Sequence, residues 1–534
     1  MRITNYHYLT YNLADIKRFI PSNIPFVNTN YYGFNMSAIP IPNTNVLVFS
    51  IRFAVKEKED GVNDNYIVPG NSITTKVFMG EHANPRELPG KNFFWSRWLK
   101  AGIDNTFIFL GTYDGKTIKK ISPFLKLPYI DSPLFKGKIT RVGTDHRLVK
   151  IGDKICLHSR NMSYIVELDI ESNGMKLNFG NLVLMNQTNR LGSDPYTHLN
   201  ASIIKKTDGG IMVLDLFDNC VTYKHEFNPV VMENLKQSIP EHIFNELKKY
   251  ETTLVGKKKG DINENAIRII KIDPYSEESH ETGFMCFYKK DKLSVFGTDT
   301  NPMFCFGSPC IEIRQNKYLS CGHLKIRQKY NVGSSIVDYK SDSAPYLVRE
   351  FIHNTMHDTF GTNYVTHFGH NDGYIYMIYF YTIQGGEKGV DDINDLSGVK
   401  VKITHAYLPI NLDKEYCSEF KSSVIFNMTL FESKIQKKRM INLTCGEMDF
   451  YAPIISTELS EILNECNHDV SEFDYSKFEY HLLPYYDGKS YDLTIDYRNN
   501  RLLDEYSKPH AGLKEFLKSK SYPYKITPAK RNEK

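Results

Sequence analysis

Long hydrophobic runs are missing from this chain. Among the most apolar stretches is 374–383, about half the roughly twenty residues that span a bilayer. The opening Met1-Arg2-Ile3-Thr4-Asn5-Tyr6 has no apolar core of a secretory signal. Sequons such as Asn35-Met36-Ser37 and Asn442-Leu443-Thr444 are therefore expected to stay unused. Cysteine is sparse: the nine residues show no Cys-x-x-Cys spacing, and several sit inside apolar runs such as Ile155-Cys156-Leu157. That placement argues for free buried thiols and against a disulfide framework. Tryptophan occurs twice, against 35 Tyr and 32 Phe. The charge excess is small, +4 from 66 basic and 62 acidic residues, and gives no reason to expect a nucleic-acid partner. Lys257-Lys258-Lys259 and Lys530-Arg531 read as a solvated loop and a tail. A soluble, cytoplasmic chain without a membrane span is expected.

What the chain does contain is strand-length apolar segments punctuated by turns. The segments 45–53, 154–158, 210–217 and 374–381 are examples. Turns between paired strands are expected at Pro42-Asn43-Thr44-Asn45, Ile151-Gly152-Asp153, Thr207-Asp208-Gly209-Gly210 and Asn371-Asp372-Gly373. Helical periodicity is confined to 229–250, 457–466 and 512–518. No Gly/Ser-rich linker divides the chain before about residue 460, after which it becomes more polar.

One phrase recurs degenerately five times: a small or polar cluster, an apolar run, a turn, and a second apolar run with a polar end. The copies open at Phe34-Asn35-Met36-Ser37, Gly143-Thr144-Asp145-His146-Arg147, Leu199-Asn200-Ala201-Ser202, Gly307-Ser308-Pro309-Cys310 and Phe426-Asn427-Met428-Thr429. They close near Arg52, Arg160, Asp215, His323/Lys325 and Glu447/Asp449. Such repetition is the mark of a radial β architecture, which gathers the ends of its inner strands around one axis. The intervals of about 110, 55, 108 and 119 residues exceed or match the roughly 40–50 of a compact blade, so insertions are expected at segments such as 56–87 and 234–260. The expectation is an all-β, five-bladed β-propeller over 1–460 with helical insertions, and a C-terminal extension over 461–534 packing on or closing it.

Asn35, Asp145, Asn200, Ser308 and Asn427 would then begin innermost strands, with the closing charges beside them. Two carboxylate sources facing several cations suit glycoside chemistry, which needs one carboxylic acid and one ionised carboxylate. Arg52, Arg147, Arg160, His323 and Lys325 together suit an anion or sugar hydroxyls.

The segment Gly143-Thr144-Asp145-His146-Arg147-Leu148-Val149-Lys150-Ile151-Gly152-Asp153 resembles the Glu-Asp-Pro-Arg segment of five-bladed propeller glycoside hydrolases and glycoside phosphorylases, notably the mannoside-phosphorylase type. Cys445-Gly446-Glu447-Met448-Asp449 resembles their Tyr-Gly-Glu-x-Asp strand, and Phe34 to Ile39 with Ser50-Ile51-Arg52 resembles their opening blade. The resemblance covers scattered patches between 30 and 460, in a shared order. Thr144 and His146 depart from it, standing where the family has Glu and Pro. It implies a carbohydrate-active enzyme with Asp145 as acid/base, Glu447 or Asp449 as second carboxylate, and Arg52 and Arg147 holding sugar or phosphate. No cofactor is expected beyond inorganic phosphate or a nucleotide sugar as co-substrate. A glycosyltransferase and a non-catalytic glycan- or protein-binding propeller are the alternatives. The Asn/Ile/Lys/Tyr bias is similar to that of AT-rich genomes such as those of giant DNA viruses, which places a virus particle among the expected locations.

Each candidate also has a structural reading. Asp145 closes a tight turn or pairs with Arg147 or Arg160; Glu447 and Asp449 form ion pairs on a strand face; Trp95 and Trp98 pack in a core or stack on sugar. Two metal-like groupings occur: His353/His357/His367/His370, whose i, i+4 pair could chelate from one helical face, and Cys305/Cys310/Cys321/His323, which lacks Cys-x-x-Cys spacing; neither enters the reading, and no metal is expected.

Overall fold

The computed structural model describes residues 1–9, 29–57, 104–127, 145–158, 164–171, 176–184, 202–207, 210–216, 266–272, 280–286, 303–305, 307–326, 329–332, 335–338, 347–352, 375–385, 400–412, 425–435, 437–447, 451–469, 477–486, 488–499, 501–504 and 526–528. They are mostly strand, in several antiparallel sheets with little helix. No helix among them is long and apolar enough to cross a membrane.

After β1 (Asn5–Tyr8), the first sheet runs β2 (Thr29–Pro40), β3 (Leu47–Glu57) and β4 (Asp104–Tyr113), with the short β5 (Ile118–Lys120) and β6 (Leu125–Lys126) pairing β4. The second is β7 (Arg147–Ile151), β8 (Lys154–His158), β9 (Tyr164–Ile170) and β10 (Leu177–Leu184). The third is β11 (Ser202–Thr207), β12 (Gly210–Leu216), β13 (Ala266–Ile272) and β14 (His280–Cys286). A larger sheet begins with β15 (Met303–Cys305), β16 (Ile311–Arg314) and β17 (Lys317–Ile326); a separate hairpin follows, β18 (Lys329–Val332) and β19 (Ser335–Asp338). The larger sheet continues through β20 (Ile375–Gln384), β21 (Lys400–Ile403) and β22 (Ala406–Asn411). The last of the four-stranded sheets is β23 (Ile425–Ile435), β24 (Lys438–Glu447) and β25 (Pro453–Glu458), with β1 as its outer strand. A helix, α1 (Leu459–Glu465), follows β25. The expected helix over 457–466 thus begins two residues late, because Thr457 and Glu458 still pair with Ile441 and Met440.

The larger sheet then takes β26 (His468–Asp469), β27 (Tyr480–Tyr486), β28 (Lys489–Ser490), β29 (Leu493–Asp496), β30 (Arg501–Asp504) and β31 (Ile526–Pro528). β27 lies parallel to β22, from Ala406↔Tyr480 to Asn411↔Tyr485. The polar C-terminal stretch therefore contributes strands to the same sheet as β17 and β20.

The near-continuous apolar runs are explained by burial of both sheet faces. On β3 and β4, Val48, Ile108 and Leu110 pack with Leu148 and Leu157 of the second sheet. The alternate residues Phe49, Ile51, Phe107 and Phe109 pack with Phe431 and Ile454 of the last one. A strand sandwiched in this way has no solvent face to carry alternating polar residues.

First strands of successive sheets are joined directly. The Leu148 N–H donates to Ser37 Oγ at 2.8 Å, and the Ala38 N–H donates to Thr429 Oγ1 at 2.8 Å. β7 and β11 are in contact. The Cys310 N–H donates to the Ile203 carbonyl at 2.6 Å, and Asn427 Nδ2 donates to Ser308 Oγ at 2.9 Å. The turns expected at 42–45 and 151–153 are present, with Asn43 and Gly152 at positive φ. At 207–210, Thr207 pairs with Gly210, while 371–373 and the helical stretches 229–250 and 512–518 lie outside the described residues.

Candidate functional site

The openings of the repeats owe their shape to bulges. On β2 and β3 the register passes from Phe34↔Arg52 to Ser37↔Ser50, so Asn35 and Met36 face Ile51 alone. Asn35 has φ 50° and Asp145, just before β7, has φ 56°. Both lie in the left-handed region, which Asn and Asp tolerate better than other non-glycine residues. The bulge aims the Asn35 amide across the gap between sheets. Its Nδ2 donates to Asp145 Oδ1 at 2.5 Å. Arg52 reaches the same oxygen at 3.2 Å, its guanidinium lying over the Phe34 ring at 4.9 Å. Arg52 is 7% exposed and Asp145 2%. A charge pair this buried holds only while both partners remain.

Asn427 organises a second group. Its Nδ2 donates to Ser308 Oγ and, at 2.6 Å, to the Cys321 carbonyl. The amide oxygen faces His323 Nδ1 at 2.7 Å, so in the neutral ring Nδ1 carries the hydrogen and Nε2 the lone pair. His323 stacks on Tyr376 with centroids 5.1 Å apart. The fully buried Arg147 lies over Phe426 at 5.3 Å and directs NH2 toward the Asn427 carbonyl at 3.5 Å. Gly307, at φ 152°, flanks both side chains: a Cβ there would stand 3.1 Å from Arg147 NH2 and from Asn427 Nδ2.

Glu447 is held differently. Its Oε2 accepts from the Tyr6 and Tyr8 hydroxyls, each at 2.9 Å. Burial, with the adjacent carboxylate, pushes both phenols well above their ordinary range, so they remain donors. Gly446, one residue earlier, lies flush against Asn35: a Cβ there would fall 1.6 Å from Asn35 Oδ1. The carboxylate-bearing end of β24 thus abuts the Asn35–Asp145–Arg52 group through a backbone contact.

The expected sites divide accordingly. Asn35, Arg52 and Asp145 form one buried group, while Arg147, Ser308 and His323 join Asn427 in another. Glu447 is buried beside Tyr6 and Tyr8. Asp145 takes Arg52 as its ion-pair partner among the described residues. Arg160, Asn200, Asp449, Trp95, Trp98 and the histidines 353, 357, 367 and 370 lie outside the described residues. Asp215 and Lys325 occupy β12 and β17, opposite Arg268 and Tyr376. Cys305, Cys310 and Cys321 are free thiols, and burial pushes Cys310 up to about 11. Tyr6 and Tyr8 were missed by sequence reasoning, since nothing local ties them to residue 447. The signal for Asn427 is the repetition of Phe-Asn-Met-Ser at 34–37 as Phe-Asn-Met-Thr at 426–429.

His146 makes a testable contribution to stability. Its Nδ1 lies 2.8 Å from Thr106 Oγ1, and burial lowers it to about 3, with Arg147 adding to the effect and Asp145 opposing it. Between that value and the ordinary 6.5 or so, the unfolded chain binds a proton that the folded chain refuses. Stability therefore falls as pH drops through this window, by up to about 1.4 kcal/mol per pH unit. His146→Gln should flatten this acid limb; urea melts at pH 4 and 7 would show an unchanged pH dependence if the imidazole were not responsible.

The fold and site together define an all-β protein with buried charged side chains at and beside the first two strands of several sheets. No family model and no curated protein matches the chain. Among solved structures, it is similar to a β-1,2-mannobiose phosphorylase from Listeria innocua in complex with β-1,2-mannobiose, at 10% identity and TM-score 0.37, covering 86% of this chain and 99% of that one. A GDP-Man-dependent mannosyltransferase from Leishmania mexicana shows 9% identity and TM-score 0.29, with 85% and 89% covered. An α-L-arabinanase from Penicillium chrysogenum complexed with arabinobiose shows 7% identity and TM-score 0.27, with 83% and 96% covered. At these values the similarity is one of extent, not of matched sites.

Proposed function

We propose that residues 1–460 form a five-bladed β-propeller, with 461–534 as an extension packed on it, and that its axial mouth processes a carbohydrate. The cyclic order of contacts supports the ring: β2 meets β7, β7 meets β11, β11 meets the segment before β16, that segment meets β23, and Thr429 of β23 returns to Ala38 of β2. The observation that carries the site is the convergence of Asn35, from the bulge in β2, and Arg52, from β3, on one oxygen of Asp145, just before β7. In this reading Asp145 is the acid/base and Glu447 or Asp449 the second carboxylate. Arg52, Arg147, Arg160, His323 and Lys325 orient sugar hydroxyls or an anion.

The Arg52 charge stabilises the ionised form of Asp145 and so opposes its action as a proton donor. An anionic co-substrate that takes over Arg52 lifts this opposition, allowing Asp145 to be protonated and then to protonate the glycosidic oxygen as that bond breaks. Phosphorolysis therefore fits the pairing better than hydrolysis. The test is incubation of the full chain with a panel of manno-oligosaccharides, with and without inorganic phosphate, following sugar 1-phosphate release. Phosphate-dependent turnover is expected. No turnover with phosphate, water or a nucleotide sugar would leave the second reading, a binding propeller. That reading is favoured by one observation: Asp145 is already engaged by Arg52 and Asn35.

A further inference from the structure

A second group of titratable side chains lies where β21, β22, β26 and β27 meet, and the reaction proposed for the strand ends makes no use of it. His405 sits in the link between β21 and β22, while Glu479 and His481 lie at the start of β27. We propose that His405, Glu479 and His481 bind a divalent transition-metal ion of the zinc class.

The distances support this assignment. Glu479 Oε2 is 3.7 Å from His405 Nε2 and 3.5 Å from His481 Nε2, and the three ligand atoms lie within 4.8 Å of one another. Zinc bonds of about 2.0–2.2 Å in tetrahedral geometry place ligand atoms roughly 3.3–3.5 Å apart, so small side-chain movements close the set around an ion. His468 Nε2 faces His405 Nε2 at 3.3 Å and is positioned to enter as a fourth ligand.

A supporting carboxylate is also present. His481 Nδ1 donates to Asp492 Oδ1 at 2.6 Å, so Nε2, on the Glu479 side, is the nitrogen an ion would take. A carboxylate behind a ligating imidazole fixes its tautomer in the same way. Asp492 is itself anchored by an ion pair with the Met1 ammonium group. Glu479 is half exposed, with its side chain at 48%, which gives an ion a route in from solvent.

One contact must change on binding. His405 Nδ1 accepts the Glu479 N–H at 3.0 Å, so in the neutral ring the hydrogen sits on Nε2. When the ion takes Nε2, that proton moves to Nδ1 and the Glu479 amide turns aside. His405 thereby gives up its hydrogen bonds with the Glu479 amide and with His468 Nε2. Because its ligands come from the link before β22 and from β27, the ion would tie the C-terminal strands to the rest of the larger sheet.

The experiment uses the full chain without a polyhistidine tag, stripped with a chelator and titrated with zinc chloride or cobalt(II) chloride. About one ion per chain is expected, with the visible absorption of four-coordinate cobalt and a melting temperature that rises with zinc. Glu479→Gln, at a half-exposed position, should keep the circular dichroism of the parent while weakening zinc binding more than about 10-fold and abolishing the thermal shift. His468→Gln would weaken binding only if that residue is a ligand, and so fixes the coordination number. Absence of stoichiometric zinc in the stripped parent after titration, or equal affinity in Glu479→Gln, would overturn the proposal.

Discussion

Asp145→Asn should reduce turnover by about 10²- to 10⁴-fold, the usual contribution of a positioned acid/base, with a smaller effect on KM. It should also destabilise the chain by about 3 kcal/mol, because the buried Arg52 guanidinium loses the Asp145 carboxylate. Two measurements separate the chemical role from the structural one. In Asp145→Ala, added formate should restore part of the lost rate by occupying the vacated carboxylate position, and one limb of the kcat pH profile should disappear in Asp145→Asn. A purely structural Asp145 would give a destabilised enzyme whose remaining folded fraction works at the parent rate. Activity within about 10-fold of the parent would remove Asp145 from the mechanism.

Gly446→Ala should be the most disruptive single-methyl change at the site. Its new Cβ would lie 1.6 Å from Asn35 Oδ1, 2.8 Å from Asn35 Cγ and 3.0 Å from the Asn35 backbone nitrogen. Asn35 cannot simply swing away, since its amide is committed to Asp145 and its backbone is fixed in the bulge. Overpacking of this kind costs about 3 kcal/mol and breaks the Asn35–Asp145 hydrogen bond. Activity should therefore fall along with stability. Asn35→Gly removes the clashing amide and accepts φ 50° without strain, so the double variant should recover part of the stability without the activity. Urea melts would show strict additivity of the two changes if the close approach of β24 to residue 35 were wrong.

The sequence made the strand openings legible through the residues themselves. Phe-Asn-Met-Ser and Phe-Asn-Met-Thr recur because each opening repeats one packing solution. A buried Phe and Met flank an amide at the bulge, and a hydroxyl accepts a backbone N–H of the next sheet. The partners were less legible. Asp145 pairs with Arg52, 93 positions away, and Glu447 is held by tyrosines more than 400 positions away. Such pairings are set by which sheets become neighbours, and hydrophobic periodicity carries no information about that. The same limit hid the 405/479/481 group, of which only the i, i+2 spacing of Glu479 and His481 is local.

The placement of β1 has a consequence for how the molecule is made. Asn5–Tyr8 pairs only with Pro453–Glu458 among the described strands, from Asn5↔Ser456 to Tyr8↔Pro453. At ordinary translation rates those partners emerge some tens of seconds after the first residues do. Throughout that time the strand at residues 5–8 is a nascent edge carrying two tyrosines, available to chaperones or to a wrong partner. The strand at residues 5–8 is thus completed only by residues made much later, and a chain cut short before residue 453 would leave unfinished both this sheet and the larger one, which still awaits β26 to β31.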